Sequence, residues 1–318
     1  MKRFFAKIAA FVCFAALCYP AMLVVWGHVV PLRLNKNFCY QVGAYGHLHS
    51  RVREARTFGR ADVLVVGSSH VYRGYDPRVF AEHGLRLFNL GSSSQSPLQT
   101  EVLLAHSLDR LNPRLVLYDV YPGGFAVDGV ESAVDLVSND VLDADTFRMV
   151  RRVNHIKVYN TLLFALFRKA WGLDRNFVEP RVVAGDRYVE GGFVERLLSS
   201  YTPRAHYPPY EWVLREKHKA AFERILAGLR ARNIRVVLVQ APISRPLWES
   251  CLNNDEADAY FRRQGPYYNF NGRLPLSDRE HFFDADHLNQ AGAERFGAEL
   301  IRLLRDEGWI TCESPPAP

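Results

Sequence analysis

Four short apolar runs, each closed by a turn of small or polar residues, set the tightest limit on what this chain can fold into. Asp62 to Val66 ends in Gly67, Leu85 to Leu90 in Gly91, Arg114 to Val120 in Tyr121-Pro122, and Ile234 to Gln240 in Ala241-Pro242. Runs this short and this continuously apolar belong to strands buried on both faces. Between them lie stretches of helical spacing at 77–82, 98–111 and 211–232. Strand and helix in alternation predict an α/β fold, with a parallel sheet and crossover helices. Tyr267 to Phe270 is a short fifth strand candidate, and 289–306 reads as a closing helix.

Between 125 and 209 the rhythm breaks. The stretch 150–171 is helical and rich in Phe and Leu, and 172–207 mixes Gly, Pro and Arg. The whole reads as a mostly helical insertion, serving as a lid, a docking surface or plain core.

The N-terminus bears on the compartment. Lys2, Arg3 and Lys7 precede a run from Ile8 to Val30 without one Asp, Glu, Lys or Arg. A helix needs roughly 20 apolar residues to cross a bilayer. Basic residues before the run favour a cytoplasmic N-terminus and place the remainder outside. No small-x-small cleavage site follows, so an uncleaved signal anchor is favoured over a cleaved leader. The expected organisation is an anchor at 1–30, a juxtamembrane linker at 31–60, an α/β unit at 61–310 holding the insertion, and a flexible tail at 311–318. The partner of residues 8–30 is then the lipid bilayer, and the location is the inner membrane with the α/β unit in the periplasm or its equivalent.

Net charge is +6, but basic residues alternate with acidic ones, as in Arg215-Glu216-Lys217. A nucleic-acid binder would gather them into patches interleaved with aromatics. The charge reads as solvated surface, and no nucleic-acid partner is expected. In an oxidising compartment Cys251 and Cys312 are a candidate pair, with free thiols the equal alternative.

In doubly wound sheets ligands bind beyond the carboxyl ends of the strands. Those places hold Gly67-Ser68-Ser69-His70, Asn89-Leu90-Gly91-Ser92-Ser93-Ser94 and Asp119-Val120-Tyr121-Pro122. Asp284-Ala285-Asp286-His287 precedes the last helix. A serine hydroxyl is a weak nucleophile until a base takes its proton, and histidine suits that task near neutral pH. A carboxylate must then hold the other ring nitrogen. Asp284 and His287, three residues apart, fit one short turn, with Ser69 as nucleophile. The oxyanion that forms needs preorganised donors, for which the backbone amides of Ser69, Ser94 and Gly91 are candidates.

Together these blocks resemble the SGNH/GDSL hydrolase superfamily. Gly67-Ser68-Ser69 stands where that family has Gly-Asp-Ser. Asn89 opens its second block, and Asp284-x-x-His287 followed by Leu288, Asn289 and Gly292 matches its last. The resemblance covers about 61–120 and 234–306. It implies a flavodoxin-like three-layer parallel sheet, a Ser69–His287–Asp284 triad and ester chemistry without a cofactor. Gly-Ser-Ser is similar to the first block of membrane-anchored SGNH-like proteins of cell-envelope polymer O-acylation. That likeness implies a polytopic membrane O-acyltransferase as partner and a glycan or acyl ester as substrate. The family's Gly-x-Asn-Asp block has no counterpart after the third strand. Asn139, in Val137-Ser-Asn-Asp140, is the nearest residue of that kind and a candidate substrate contact, as is His70. Two rival readings follow from the same residues. Asp284, Asp286, His287 and His281 offer metal ligands, but this leaves the serine turns without a role, so no metal is expected and Asp286 reads as a solvent-facing carboxylate. Without the third-block Asn, the chain could also be a non-catalytic scaffold of a polysaccharide export or acylation complex.

Overall fold

In the computed structural model, residues 1–44, 46–197 and 201–311 are described. Cys312 and the rest of the expected tail lie outside them. The strands are β1 (Val63–Gly67), β2 (Leu87–Gly91), β3 (Leu115–Asp119), β4 (Val182–Val183), β5 (Asp186–Val189), β6 (Phe193–Arg196), β7 (Arg235–Gln240) and β8 (Tyr267–Asn269). The helices of the first half are α1 (Lys2–Val29), α2 (Leu48–Ala55), α3 (Ser69–Gly74), α4 (Pro77–Ala81), α5 (Pro97–Leu111), α6 (Pro122–Ala126), α7 (Val130–Asn139), α8 (Ala144–Val153) and α9 (Ile156–Ala170). Those of the second half are α10 (Glu216–Ala231), α11 (Arg245–Glu249), α12 (Asn254–Gln264) and α13 (Gln290–Asp306).

The main sheet runs β2-β1-β3-β7-β8 and every neighbouring pair is parallel. This is the flavodoxin-like order, as the sequence leads one to expect. Side chains alternate across the sheet. Leu64, Val66, Phe88, Leu90, Val116, Tyr118 and Leu238 face one core with α5, α7, α9 and α10. Val63, Val65, Leu87, Leu115, Leu117, Val237 and Val239 face a second core with α13. Because both faces are covered, β1 to β3 are buried along their whole length, and that is why they read as unbroken apolar runs.

Four parts differ from expectation. The stretch 150–171 is two helices rather than one. Asn154 takes a left-handed backbone (φ 52°) that ends α8, and the His155 side chain accepts from Lys157 N to start α9. The helix expected from 211 begins at Glu216, because the Arg215 amide is bonded to Phe125 O instead. The insertion is mostly helical, as expected, with α7, α8 and α9 inside it, but it also holds an antiparallel sheet that was not expected, β4-β5-β6. The segment 31–60 holds α2, whose Arg51 is fully buried and donates to the carbonyls of Gly91, Gly192 and Gly46.

Helix α1 is long and apolar enough to cross a membrane. Its second half packs on α9: Tyr19 Oη donates to Asn160 at 2.6 Å, and Gly27 lies so close to Phe164 that a Cβ would clash with the ring.

Candidate active site

The carboxyl end of β1 turns sharply into α3. Gly67 has φ 149°, and a side chain there would strike Asp119 O at 2.8 Å. Gly91 ends β2 directly opposite Gly67. A Cβ on it would meet Ser68 O at 2.7 Å and Val71 Cβ at 3.0 Å. Two strand ends therefore close tightly around the Ser68–Ser69 turn only because both positions lack side chains. Ser69 is the first residue of α3. Arg51 braces the same place from outside by its bond to Gly91 O (3.0 Å).

The segment after Ser277 brings the other two residues. Asn289 caps α13, accepting from Gly292 N at 3.0 Å while its amide donates to Glu280 O at 2.8 Å. Phe282 and Leu288 bridge, which cinches the loop between them. Asp284 Oδ1 accepts from the backbone amides of Asp286 (3.1 Å) and His287 (2.8 Å), so the loop folds around this carboxylate.

The result is a three-residue line. Ser69 Oγ lies 2.6 Å from His287 Nε2, and His287 Nδ1 lies 2.9 Å from both oxygens of Asp284. The structure thus brings Ser69, His287 and Asp284 together within proton-transfer distance. Burial lowers the proton affinity of His287, but the carboxylates of Asp284 and Asp286 outweigh it and raise its pKa to about 9. Below that pH the ring carries both protons and Nε2–H donates to the serine. Above it, the hydroxyl donates to a neutral ring.

Asp286, expected as a solvent-facing carboxylate, keeps about a third of its side chain exposed (32%) but turns its oxygens toward the site. Its Oδ1 lies 3.2 Å from His287 Nδ1, its Oδ2 lies 3.7 Å from His70 Nε2, and Tyr121 Oη donates to Oδ2 at 3.4 Å. Burial works against its charge, but the two imidazoles hold it well below the usual carboxylate range. His70 is only 4% exposed, with its ring 3.9 Å from that of Tyr121 and 5.1 Å from that of His287. It lies beneath the surface rather than on a substrate-facing one, because Tyr121 covers it.

The remaining expected residues divide. Ser94 sits in the turn after β2 with φ 48°. Asn139 is elsewhere: it accepts from Gly43 N (2.8 Å) and donates to Gln41 O and Asp135, so its amide is spent on joining α7 to the 41–43 segment rather than on substrate. Asp119 lies under the site, accepting from Tyr75 Oη (2.8 Å) and the amide of Ala241 (3.2 Å), and burial pushes its pKa up. Gln95 accepts from Ser92 in the turn after β2 and donates to Thr100 of α5.

Arg73 and the antiparallel sheet form a wall beside the triad. Arg73 makes a two-pronged bond to Asp186 of β5, and Arg196 of β6 joins the same carboxylate. Both guanidinium groups lie about 5 Å from the Phe283 ring, at 4.9 Å and 5.0 Å. No motif in the sequence pointed to Asp186, Phe283 or Arg196. The Gly191-Gly192 turn between β5 and β6, with φ 88° and 76°, was the signal that could have found the hairpin.

His70, Asp286 and His287 are the group among the described residues whose atoms could hold a metal, all within 4.8 Å of one another. His281, expected in such a set, is instead buried and accepts from Ser277 N. Both ring nitrogens of His287 already have partners, Nε2 in Ser69 and Nδ1 in Asp284.

No family model matches the chain, and neither does any curated protein. Among solved structures the chain is similar to a protein of Bacteroides fragilis described as a "putative acylhydrolase". The TM-score is 0.40 and the identity 11%, over 83% of this chain and 98% of that one.

Proposed function

We propose that this chain is a membrane-anchored, extracytoplasmic serine acyl hydrolase or O-acyltransferase of the SGNH type, acting on an ester of an envelope polysaccharide or a related acyl ester. The observation that carries the reading is the line from Ser69 Oγ through both nitrogens of His287 to Asp284. A structural role would need none of these three side chains to be in register.

The chemistry runs as follows. Neutral His287 takes the Ser69 proton at Nε2 as Oγ attacks the ester carbonyl, and the C–O bond forms. Asp284 stabilises the imidazolium through Nδ1–H. Backbone amides of Ser69, Ser94 and Gly91 are the proposed donors to the oxyanion. The tetrahedral adduct collapses, the ester oxygen leaves with the His287 proton, and an acyl-Ser69 remains. Water or a sugar hydroxyl then gives its proton to His287 and attacks the acyl carbon, and as the acyl–Oγ bond breaks Ser69 takes that proton back from His287 Nε2. Water gives an esterase and a sugar hydroxyl a transferase. A long apolar helix α1, with Lys2 and Arg3 in its first turn, supports the anchor and the outward orientation. A polytopic membrane O-acyltransferase as acyl-supplying partner belongs to the same reading, and rests on resemblance alone.

The test uses the full-length chain in detergent micelles and a fluorescent fluorophosphonate. Labelling of the native chain that is lost in Ser69→Ala is expected. Labelling that survives in Ser69→Ala places the nucleophile elsewhere. Absence of labelling in both favours a non-catalytic scaffold, the second reading. Its supporting observation is that Tyr121-Pro122-Gly123 starts α6 where the family's Gly-x-Asn-Asp would stand, while Asn139 is spent on α7. Loss of polymer O-acylation in cells lacking the gene selects transferase over esterase.

A further inference from the structure

We propose that Asp286 is a second positioning carboxylate for His287, sharing Nδ1 with Asp284 and tying that ring to the buried His70. This rests on the triad reading above. A triad needs one carboxylate behind the ring, yet here two converge on the same nitrogen.

The two are not equivalent. Asp284 Oδ1 already accepts from two backbone amides besides the ring, so part of its charge is spent on folding the loop. Asp286 Oδ1 has the His287 nitrogen as its near neighbour at 3.2 Å. Its other oxygen faces His70 Nε2 at 3.7 Å. Neither ring nitrogen of His70 has a hydrogen-bond partner, although the residue is 4% exposed. A buried polar atom left unpaired is costly, so this side chain calls for a charge or donor close by. Asp286 is the nearest charged group, and Tyr121 fixes it from the third side.

The groups facing His287 come from every element packed around it. Ser69 and His70 come from α3, Tyr121 from the segment after β3, and Asp284, Asp286 and Phe283 from the loop before α13. Arg73, one turn along α3, and Arg196 of β6 are the nearby fixed cations, and the charge of Arg73 bears on Asp284. Arg73 and Arg196 share Asp186, so three carboxylates against two arginines leave the ring site negative on balance. Either carboxylate alone keeps the proton on Nδ1 and hence Nε2 free to face the serine. Asp286 thereby makes the base tolerant of losing Asp284, and it raises the pH at which the base becomes neutral.

The experiment compares labelling rates from pH 6 to 10.5 for the full-length chain, Asp284→Asn, Asp286→Asn and the double variant. The His287 ring is followed in parallel by nitrogen NMR. With a single carboxylate, converting it to the amide costs about 10⁴-fold in well-studied triads. Here Asp284→Asn is expected to cost only roughly ten- to a hundredfold, with the double variant reaching the full loss of about 10⁴-fold. Asp286→Asn is expected to move both the alkaline limb and the NMR titration to lower pH, since the imidazolium loses one of two partners. A double variant no slower than Asp284→Asn, or a His287 titration that does not move in Asp286→Asn, overturns the proposal. Asp286→Ser is read in the same way should the amide variant fail to fold. The NMR arm needs no activity, so it reports on Asp286 even where Ser69→Ala shows that the triad reading itself has failed.

Discussion

Gly292→Ala tests whether the loop that carries the acid and the base is held in place by a close backbone contact. A methyl at 292 would stand 2.1 Å from His281 O and 2.9 Å from Leu288 Cδ2. Ordinary contact begins near 3.4 Å, so the carbonyl must retreat by about 1 Å. It cannot do so alone, because it also accepts from Asn289 N at 3.1 Å, and Asn289 caps α13. Both ends of the loop from 281 to 289 therefore shift together, with Asp284 and His287 between them. Overpacking of this kind costs about 1–3 kcal/mol, a fall of roughly 2–10 °C in melting midpoint. A 1 Å displacement of a reacting group costs on the order of 10²-fold in rate. The assays are thermal melting by circular dichroism and the rate of fluorophosphonate labelling. Gly228→Ala, where a Cβ meets nothing within 4 Å, is the control and is expected to keep both. A Gly292→Ala chain with native midpoint and native labelling rate would refute the argument.

Three further outcomes follow from the same geometry. Gly91→Ala drives a methyl into Ser68 O and is expected to slow labelling on the order of 10²-fold, read by the same rate measurement. Asn139→Ala strips Gly43 N and Gln41 O of a partner and is expected to cost about 1–3 kcal/mol in urea unfolding, with the labelling rate per folded molecule unchanged. His287 binds its proton more tightly folded than unfolded, with a pKa of about 9 against an ordinary 6.5. Its stabilisation is fully present below pH 6.5 and disappears as pH rises through 9, an effect on the order of 3 kcal/mol at most. Unfolding of His287→Gln measured from pH 6 to 10 is expected to lack that decline, while labelling of the native chain climbs over the same interval as the base becomes neutral.

What the sequence made legible was what burial and chain order impose. The strands of the main sheet were readable because both of their faces are covered, which demands unbroken apolar runs. Ser69, Asp284 and His287 were readable because they stand at a strand end and before a capped helix, where Asn289 and Gly292 have local backbone reasons to be what they are. The choice between Asp284 and Asp286 was half visible. Residues two apart in a turn differ in direction only through the backbone amides that Asp284 gathers, and no pattern of residue types encodes that. Arg51 was invisible because a mixed-polarity segment gives no sign that one of its arginines is wholly enclosed and bonded only to carbonyls. The small sheet was missed for another reason. Val182-Val183 is exposed and Asp186–Val189 only half-buried, so neither carries the apolar signature of a core strand.

The contact between α1 and α9 has a mechanical consequence. Tyr19 to Asn160 and Gly27 to Phe164 fasten the long helix to the body that bears Ser69, so the two do not swing on a loose leash. With the part of α1 ahead of Tyr19 in a bilayer, the serine would keep one standoff from the lipid surface and one heading relative to it. Under the function proposed above, an ester would be reached only at that level, and lengthening the 31–47 segment would leave the standoff unchanged as long as those two contacts hold.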